Sequence, residues 1–282
     1  MEFLQHLQWQ LFALARQILS LSAWFLIFAV VFVPLERLFP LRPLKVFRRS
    51  FLMDTGYYLV NGILVRSLLA LIMAAVALGL QSLMPEAVLS WSSSLPLWAR
   101  LAVALVVGEF GYYWGHRWTH EIPFLWRFHA IHHNPEEIDW LVNTHAHPVD
   151  IVFSRFCALV PMFALGLNRS ADGLSGAYLP FLILIIGTFW GFFIHANLRW
   201  RFGWLSYLVS TPAYHHWHHT KAEHTDKNYA SMLPIMDLLF GSWYMPAKQW
   251  PVNYGINGPV AEGLVGQLLQ PFGSSAEQAP LQ

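Results

Sequence analysis

The amino-acid sequence predicts an all-α, polytopic membrane protein with four or five transmembrane helices and a histidine-rich cap on their cytoplasmic side. Three observations predict it. The 282 residues are 56% hydrophobic and only 12% charged, with a mean hydropathy of +0.41, whereas soluble domains are about 25% charged. Apolar runs close to the ~20 residues that a spanning helix needs recur along the chain. Fourteen histidines are present, and all but His6 fall between His116 and His224.

The runs come in order. Met1–Gln10 has no basic start and no small-residue cleavage site, and is not read as a cleaved signal. Gln17–Leu35 is the first apolar run, closed by Pro34, Glu36 and Arg37. Arg37–Asp54 is basic. Tyr57–Leu80 is the second run, interrupted by Asn61 and Arg66, and Gln81–Trp98 reads as a loop. Trp98–Trp114 leads directly into His116, with Tyr112, Tyr113, Trp114 and Trp118 as an interfacial aromatic belt. Ile151–Leu167 is the fourth run, Asn168–Gly176 a turn-rich loop, and Tyr178–Ile194 a fifth run without charge that ends at His195. Arg66, Arg100 and Arg155 are read as snorkelling to an interface. Residues 1–270 form one membrane-embedded domain, and a Gly/Ser/Pro/Gln-rich stretch from Glu262 ends in a mobile tail, 271–282.

Five spans alternate sides, which puts Arg37–Asp54, His116–Asp150 and everything after His195 on one side. These loops hold nearly all the loop Lys and Arg, and the positive-inside rule makes that side cytoplasmic. Every histidine except His6 falls there. A four-span version lays the first or second run partly in the interface.

The histidines have helical spacing. His116 and His120 are four apart; His129, His132 and His133 stand at i, i+3 and i+4; His215, His218 and His219 repeat that pattern. Residues so spaced share a helix face, so each group is expected to aim at a single point. Neutral imidazole is the commonest side-chain metal ligand. A single ion cannot use all of His116, His120, His129, His132, His133, His195, His215, His218 and His219, whereas a two-metal site can. His145 and His147 are a further pair, offering one more ligand or support to the others. His216 points off the shared face.

Several classes are excluded. A net charge of +1 without a basic, aromatic-interleaved stretch gives no nucleic-acid partner. The one cysteine, Cys157, rules out an internal disulfide, a thiolate metal site and a protein-held iron–sulfur cluster. HExxH, GxSxG, P-loop and GxGxxG patterns are absent.

His116-Arg117-x-x-His120, His129-x-x-His132-His133 and His215-x-x-His218-His219 resemble the three histidine boxes of the fatty acid hydroxylase/sterol desaturase superfamily. Ile194-His195, Asp226-Lys227-Asn228-Tyr229 and Met236–Gly241 are similar to its alkylglycerol monooxygenase and bacterial sterol-desaturase-like branches. Thr144–Asp150 looks more like the sterol desaturase branch. The likeness runs from about Glu109 to Trp243.

The resemblance implies a non-haem di-iron centre, held by those nine histidines, that uses O2 to attack an unactivated C–H bond of a lipid: fatty acyl, ether-lipid or sterol-like. Hydroxyl rebound after hydrogen abstraction gives an alcohol, and a second abstraction gives an alkene, so a desaturase is the alternative on the same scaffold. Glu121, Asp226 and Asn228 are expected to orient ligand imidazoles. With no flavin or nicotinamide fingerprint, electrons are expected from a separate ferredoxin-, cytochrome- or flavoprotein-type donor. The implied location is a bacterial inner membrane, with the histidines on its cytoplasmic face. From another class, a membrane metal transporter or a non-catalytic zinc-binding protein would also use clustered histidines.

Overall fold

A computed structural model describes residues 2–81, 83–168, 178–221 and 224–273. Most of the expected loop at Asn168–Gly176, and residues 274–282, lie outside the described residues. The described chain forms helices α1 (Glu2–Leu38), α2 (Phe51–Gln81), α3 (Glu86–Ser94), α4 (Leu97–Glu121), α5 (Pro123–His133), α6 (Pro148–Ala164), α7 (Tyr178–His195), α8 (Pro212–His218), α9 (Ile235–Phe240) and α10 (Gly263–Leu269). Among the described residues there is no β-strand, only isolated bridges.

Among the described residues, three helices are long and apolar enough to cross a membrane: α1 over Leu4–Leu38, α2 over Phe51–Leu80, and α7. α1 continues through Pro34 instead of ending there; apolar helices absorb a proline because neighbours and local adjustment re-satisfy the freed carbonyl. The runs at 98–114 and 151–167 lie on α4 and α6. Arg100 and Glu109 break the apolar character of α4, and α6 is only 17 residues long, with Asp150 and Arg155 in its first half.

Two further expectations are corrected. The stretch read as a loop at 81–98 holds α3, opened by Pro85 with Glu86 in its first turn, where the helix dipole favours a carboxylate. Its Ser92 is buried and donates to the Gly166 carbonyl. The stretch after Glu262 is not tail throughout. α10 packs on α2, and a 3₁₀ turn at Gln270–Phe272 contacts α5.

α4 packs most extensively on α6. A Cβ at Gly111 would overlap the Cys157 carbonyl, and one at Gly115 would sit 2.7 Å from Cys157 Cβ. Small residues let two helix backbones meet this closely. The approach brings the last turns of α4 beside the first turn of α6. One apolar cluster joins Phe28 and Phe32 of α1, Tyr58 of α2, Trp140 and Phe192, with Phe28 and Phe192 stacked at 4.1 Å. A second joins Leu69 and Met73 of α2, Ala104 of α4, Leu159 and Met162 of α6, and Leu179 of α7. Tyr113, expected in a membrane-surface belt, is instead fully buried and bonded to Ser242, while Trp118 remains exposed.

Candidate metal centre

The nine expected histidines come together as two adjacent groups. His116 and His120 of α4, His129 and His133 of α5, and His218 of α8 form one; His132 of α5, His195 at the end of α7, and His215 and His219 of α8 and its C-cap form the other. Within each group the candidate ligand atoms lie within 4.8 Å of one another. Four separate elements deliver them, so the sequence spacing alone cannot close the site.

The helical triplets do not each aim at one point, contrary to the sequence expectation. In both, the i and i+4 members share a group and the i+3 member joins the other: His129 and His133 against His132, His215 and His219 against His218. The geometry of the α-helix accounts for this. At about 100° per residue, i+4 overshoots i by roughly 40° and i+3 falls short by roughly 60°. Each triplet therefore fans across a wide stripe and straddles the two groups.

Six of the nine outer nitrogens are tied down, and the exceptions are His133, His215 and His219, of which His215 Nδ1 and His219 Nδ1 are buried without a partner. His116 Nδ1 donates to the Tyr229 carbonyl at 2.7 Å, His132 Nδ1 to the His145 carbonyl at 3.0 Å, His195 Nδ1 to the Gly191 carbonyl at 2.7 Å, and His218 Nδ1 to the Lys227 carbonyl at 2.8 Å. A carbonyl oxygen only accepts, so each of these Nδ1 atoms carries the ring proton and each Nε2 keeps its lone pair. His129 Nδ1 makes the same commitment to Asp150, and His120 Nδ1 to Asp226 at 3.2 Å.

The inner nitrogens face one another, and where both rings have a committed Nδ1, as in His116–His129 and His132–His195, no proton lies between them. His116 Nε2 and His133 Nε2 each stand 3.1 Å from His129 Nε2. In the second group, His195 Nε2 stands 3.0 Å from His215 Nε2, 3.2 Å from His132 Nε2 and 3.2 Å from His219 Nε2. His120 Nε2 and His218 Nε2 are buried with no hydrogen-bond partner. Lone pairs pointed at lone pairs repel, and buried acceptors without donors are costly. A cation at each focus removes both problems, so the residues fit a pair of metal ions.

The electrostatics agree. Burial, and after it the neighbouring imidazoles, hold His132, His133, His215, His218 and His219 well below the usual histidine range. The rings are neutral, the form that binds metal. Imidazole sets suit iron, zinc, copper and nickel.

Of the expected orienting residues, Asp226 reaches an imidazole. Glu121 pairs instead with Arg117 at 2.7 Å, one turn earlier on the exposed face of α4. Asn228 spends its amide elsewhere; held at a positive φ of 60°, it donates to the Tyr214 and Tyr244 carbonyls and anchors α8. His145 and His147 join neither group. His145 directs Nδ1 at Asp54 and Nε2 at Gln267, and contributes to the site only through its carbonyl. His147 caps α6, accepting from the Val149 amide and donating to the Leu268 carbonyl.

Sequence reasoning missed Asp150 and Asp237 as orienting groups. Asp150 closes the Thr144–Asp150 motif, but only folding sets it against His129. Asp237 accepts from the Tyr229 and Ala230 amides, each at 2.8 Å, and from the Tyr214 hydroxyl, which fixes the carbonyl that holds His116. A buried carboxylate two residues into α9 has no sequence signal apart from its place in Met236–Gly241.

A cavity of about 170 Å³ lies against this centre. His116, His129, His132, His195 and His215 line it together with apolar side chains of α4, α6 and α7.

The fold and site define a class: helical membrane proteins in which buried histidines from several helices converge as two facing ligand sets. Residues 101–242 match the family model for fatty acid hydroxylase, and the chain belongs to that family. It is similar to ornithine lipid hydroxylase OlsE of Rhizobium tropici, 36% identical over 64% of this chain and 53% of that one. It is also similar to alkylglycerol monooxygenase of Danio rerio, 30% identical over 61% of this chain and 35% of the relative. Methylsterol monooxygenase 2-2 of Arabidopsis thaliana is 27% identical over 54% and 56%. The chain thus spans about half or less of the length of these relatives. No solved structure matches.

Proposed function

We propose that this protein is a membrane-bound, non-haem di-iron oxygenase that uses O2 to hydroxylate an unactivated C–H bond of a lipid. One observation carries the reading: two buried sets of imidazoles whose inner nitrogens converge, with the outer nitrogens of six of the nine rings held by carbonyls or carboxylates. Five histidines would hold one iron and four the other, and a pair so held would supply O2 activation. The chain's own part is to fix the tautomers through the Tyr229, His145, Gly191 and Lys227 carbonyls, to keep water out by burial, and to admit an apolar substrate along the cavity between α4, α6 and α7.

On this reading four or five spans hold the centre at the cytoplasmic rim of the bilayer; the positions of His116 and His120 near the end of α4 and of His195 at the end of α7 support it. A transporter would hold its ligands near mid-span instead. The chain carries no redox cofactor motif, so a separate donor delivers electrons to that face. Hydroxylation is preferred to desaturation because the relatives above are named as hydroxylases and monooxygenases.

The test is metal content followed by O2 uptake with a chemical reductant and a membrane-lipid extract. About two irons per chain and lipid-dependent O2 uptake, with a mass gain of one oxygen on the product, is the expected outcome. Stoichiometric zinc without turnover would overturn it.

A further inference from the structure

The cavity beside the histidines is walled by Leu105, Ala158, Ile183 and Leu184, yet Arg155 also lines it. The sequence suggests an arginine snorkelling to an interface. The structure instead turns it toward the space between α4, α6 and α7. It donates to the Thr188 hydroxyl at 3.4 Å, at the limit of a hydrogen bond. No carboxylate among the described residues lies within 4.0 Å of its guanidinium.

The carboxylates that share the cavity are committed elsewhere. Glu109 accepts from the Met232 and Leu233 amides at 2.7 and 3.2 Å, and Asp150 is held by His129. A guanidinium on an apolar wall without a counter-ion is costly unless a ligand supplies the charge. An ionisable residue within a membrane protein's apolar helices marks a substrate path by default. Arg155 lies five residues beyond Asp150 on α6, about 7.5 Å along the helix axis, within one lipid's reach of the histidines.

We infer that Arg155 receives an anionic group of the substrate, so the lipid that this protein oxidises carries a carboxylate or a phosphate. The planar fork of arginine matches both groups bidentately. The inference rests on the lipid-oxygenase reading and narrows it: neutral glycerol ethers and sterols become poor substrates.

The full-length protein in zwitterionic nanodiscs is titrated with two matched pairs of probes. N-palmitoylglycine against its methyl ester reads carboxylate recognition; lysophosphatidic acid against monoacylglycerol reads phosphate recognition. A charge-assisted pair predicts about tenfold or greater preference for the anionic member of at least one pair, and the pair that shows it identifies the anion. Arg155→Gln should bring the two members to near equality, and Arg155→Lys should keep part of the preference. Equal binding of acid and neutral form by the unaltered protein in both pairs would overturn the inference, as would a preference that survives Arg155→Gln. If the neutral members are bound and oxidised equally well, the lipid-oxygenase reading stands without the anion site; if no lipid binds in either pair, both fail.

Discussion

His129 Nδ1 stands 3.0 Å from both carboxylate oxygens of Asp150, with both side chains buried. The carboxylate fixes the His129 tautomer and makes its Nε2, at the middle of the first histidine group, a stronger donor. Removing such a support typically lowers metal affinity 10- to 100-fold. Asp150→Asn, which keeps an acceptor and loses the charge, should cost about tenfold, and Asp150→Ala about 100-fold. Competition with a calibrated chelator measures it; unchanged affinity in both variants would mean that Asp150 supports packing alone.

His132→Ala and His218→Ala remove the i+3 member of each triplet, one from each histidine group. Both should abolish lipid-dependent O2 uptake and lower bound metal. His6→Ala should change neither, since His6 is exposed on α1 and bonded only to Gln10. Full activity in His132→Ala would refute the ligand assignment.

His145→Asn should leave the metal count unchanged, because its ring faces Asp54 and Gln267, while its carbonyl is what holds His132. It should lower stability by about 1–3 kcal/mol through a poorly satisfied buried carboxylate. Metal analysis alongside a thermal melt separates this from a ligand's behaviour, where metal would be lost first.

Arg48 joins Asp54 and Asp139 in a buried cluster at 2.5 and 2.6 Å, behind the His145 segment. Arg48→Met strands two buried carboxylates and should cost about 3–5 kcal/mol. Arg117→Met, at a partly exposed pair with Glu121, should cost about 0–1 kcal/mol. Comparable melting points for the two variants would contradict the buried-cluster account.

Gly111→Ala should cost about 1–3 kcal/mol by forcing α4 away from the Cys157 backbone. It should also reduce metal retention, since the same contact aligns His116 with His129. A Cβ at Gly79 meets no atom within 4 Å, so Gly79→Ala serves as a control that leaves metal binding intact.

The helices over 17–35, 57–80 and 178–194 were legible because a long apolar run announces itself without reference to anything else. The histidine spacings were legible for a related reason: i, i+3 and i+4 are local. α3 was not, because prolines and serines at its ends and within it read as a loop, and only the groove beside Gly166 gives it a buried face. Nor was the true role of His145 and His147. A histidine in a polar segment looks the same whether it ligates, caps a helix or meets a carboxylate 91 residues earlier in the chain.

By itself the sequence determined that this is an apolar helical chain carrying eight helically spaced imidazoles and a ninth, His195, at the end of an apolar run, because hydrophobicity and helical period are properties of neighbours along the chain. Tertiary structure alone decided how those imidazoles divide between two foci, which carbonyls and carboxylates set their tautomers, and that Arg155 turns into the cavity. Those outcomes depend on the angle and separation of α4, α5, α7 and α8, which are set by packing between distant residues such as Gly111 and Cys157, and no local pattern encodes them.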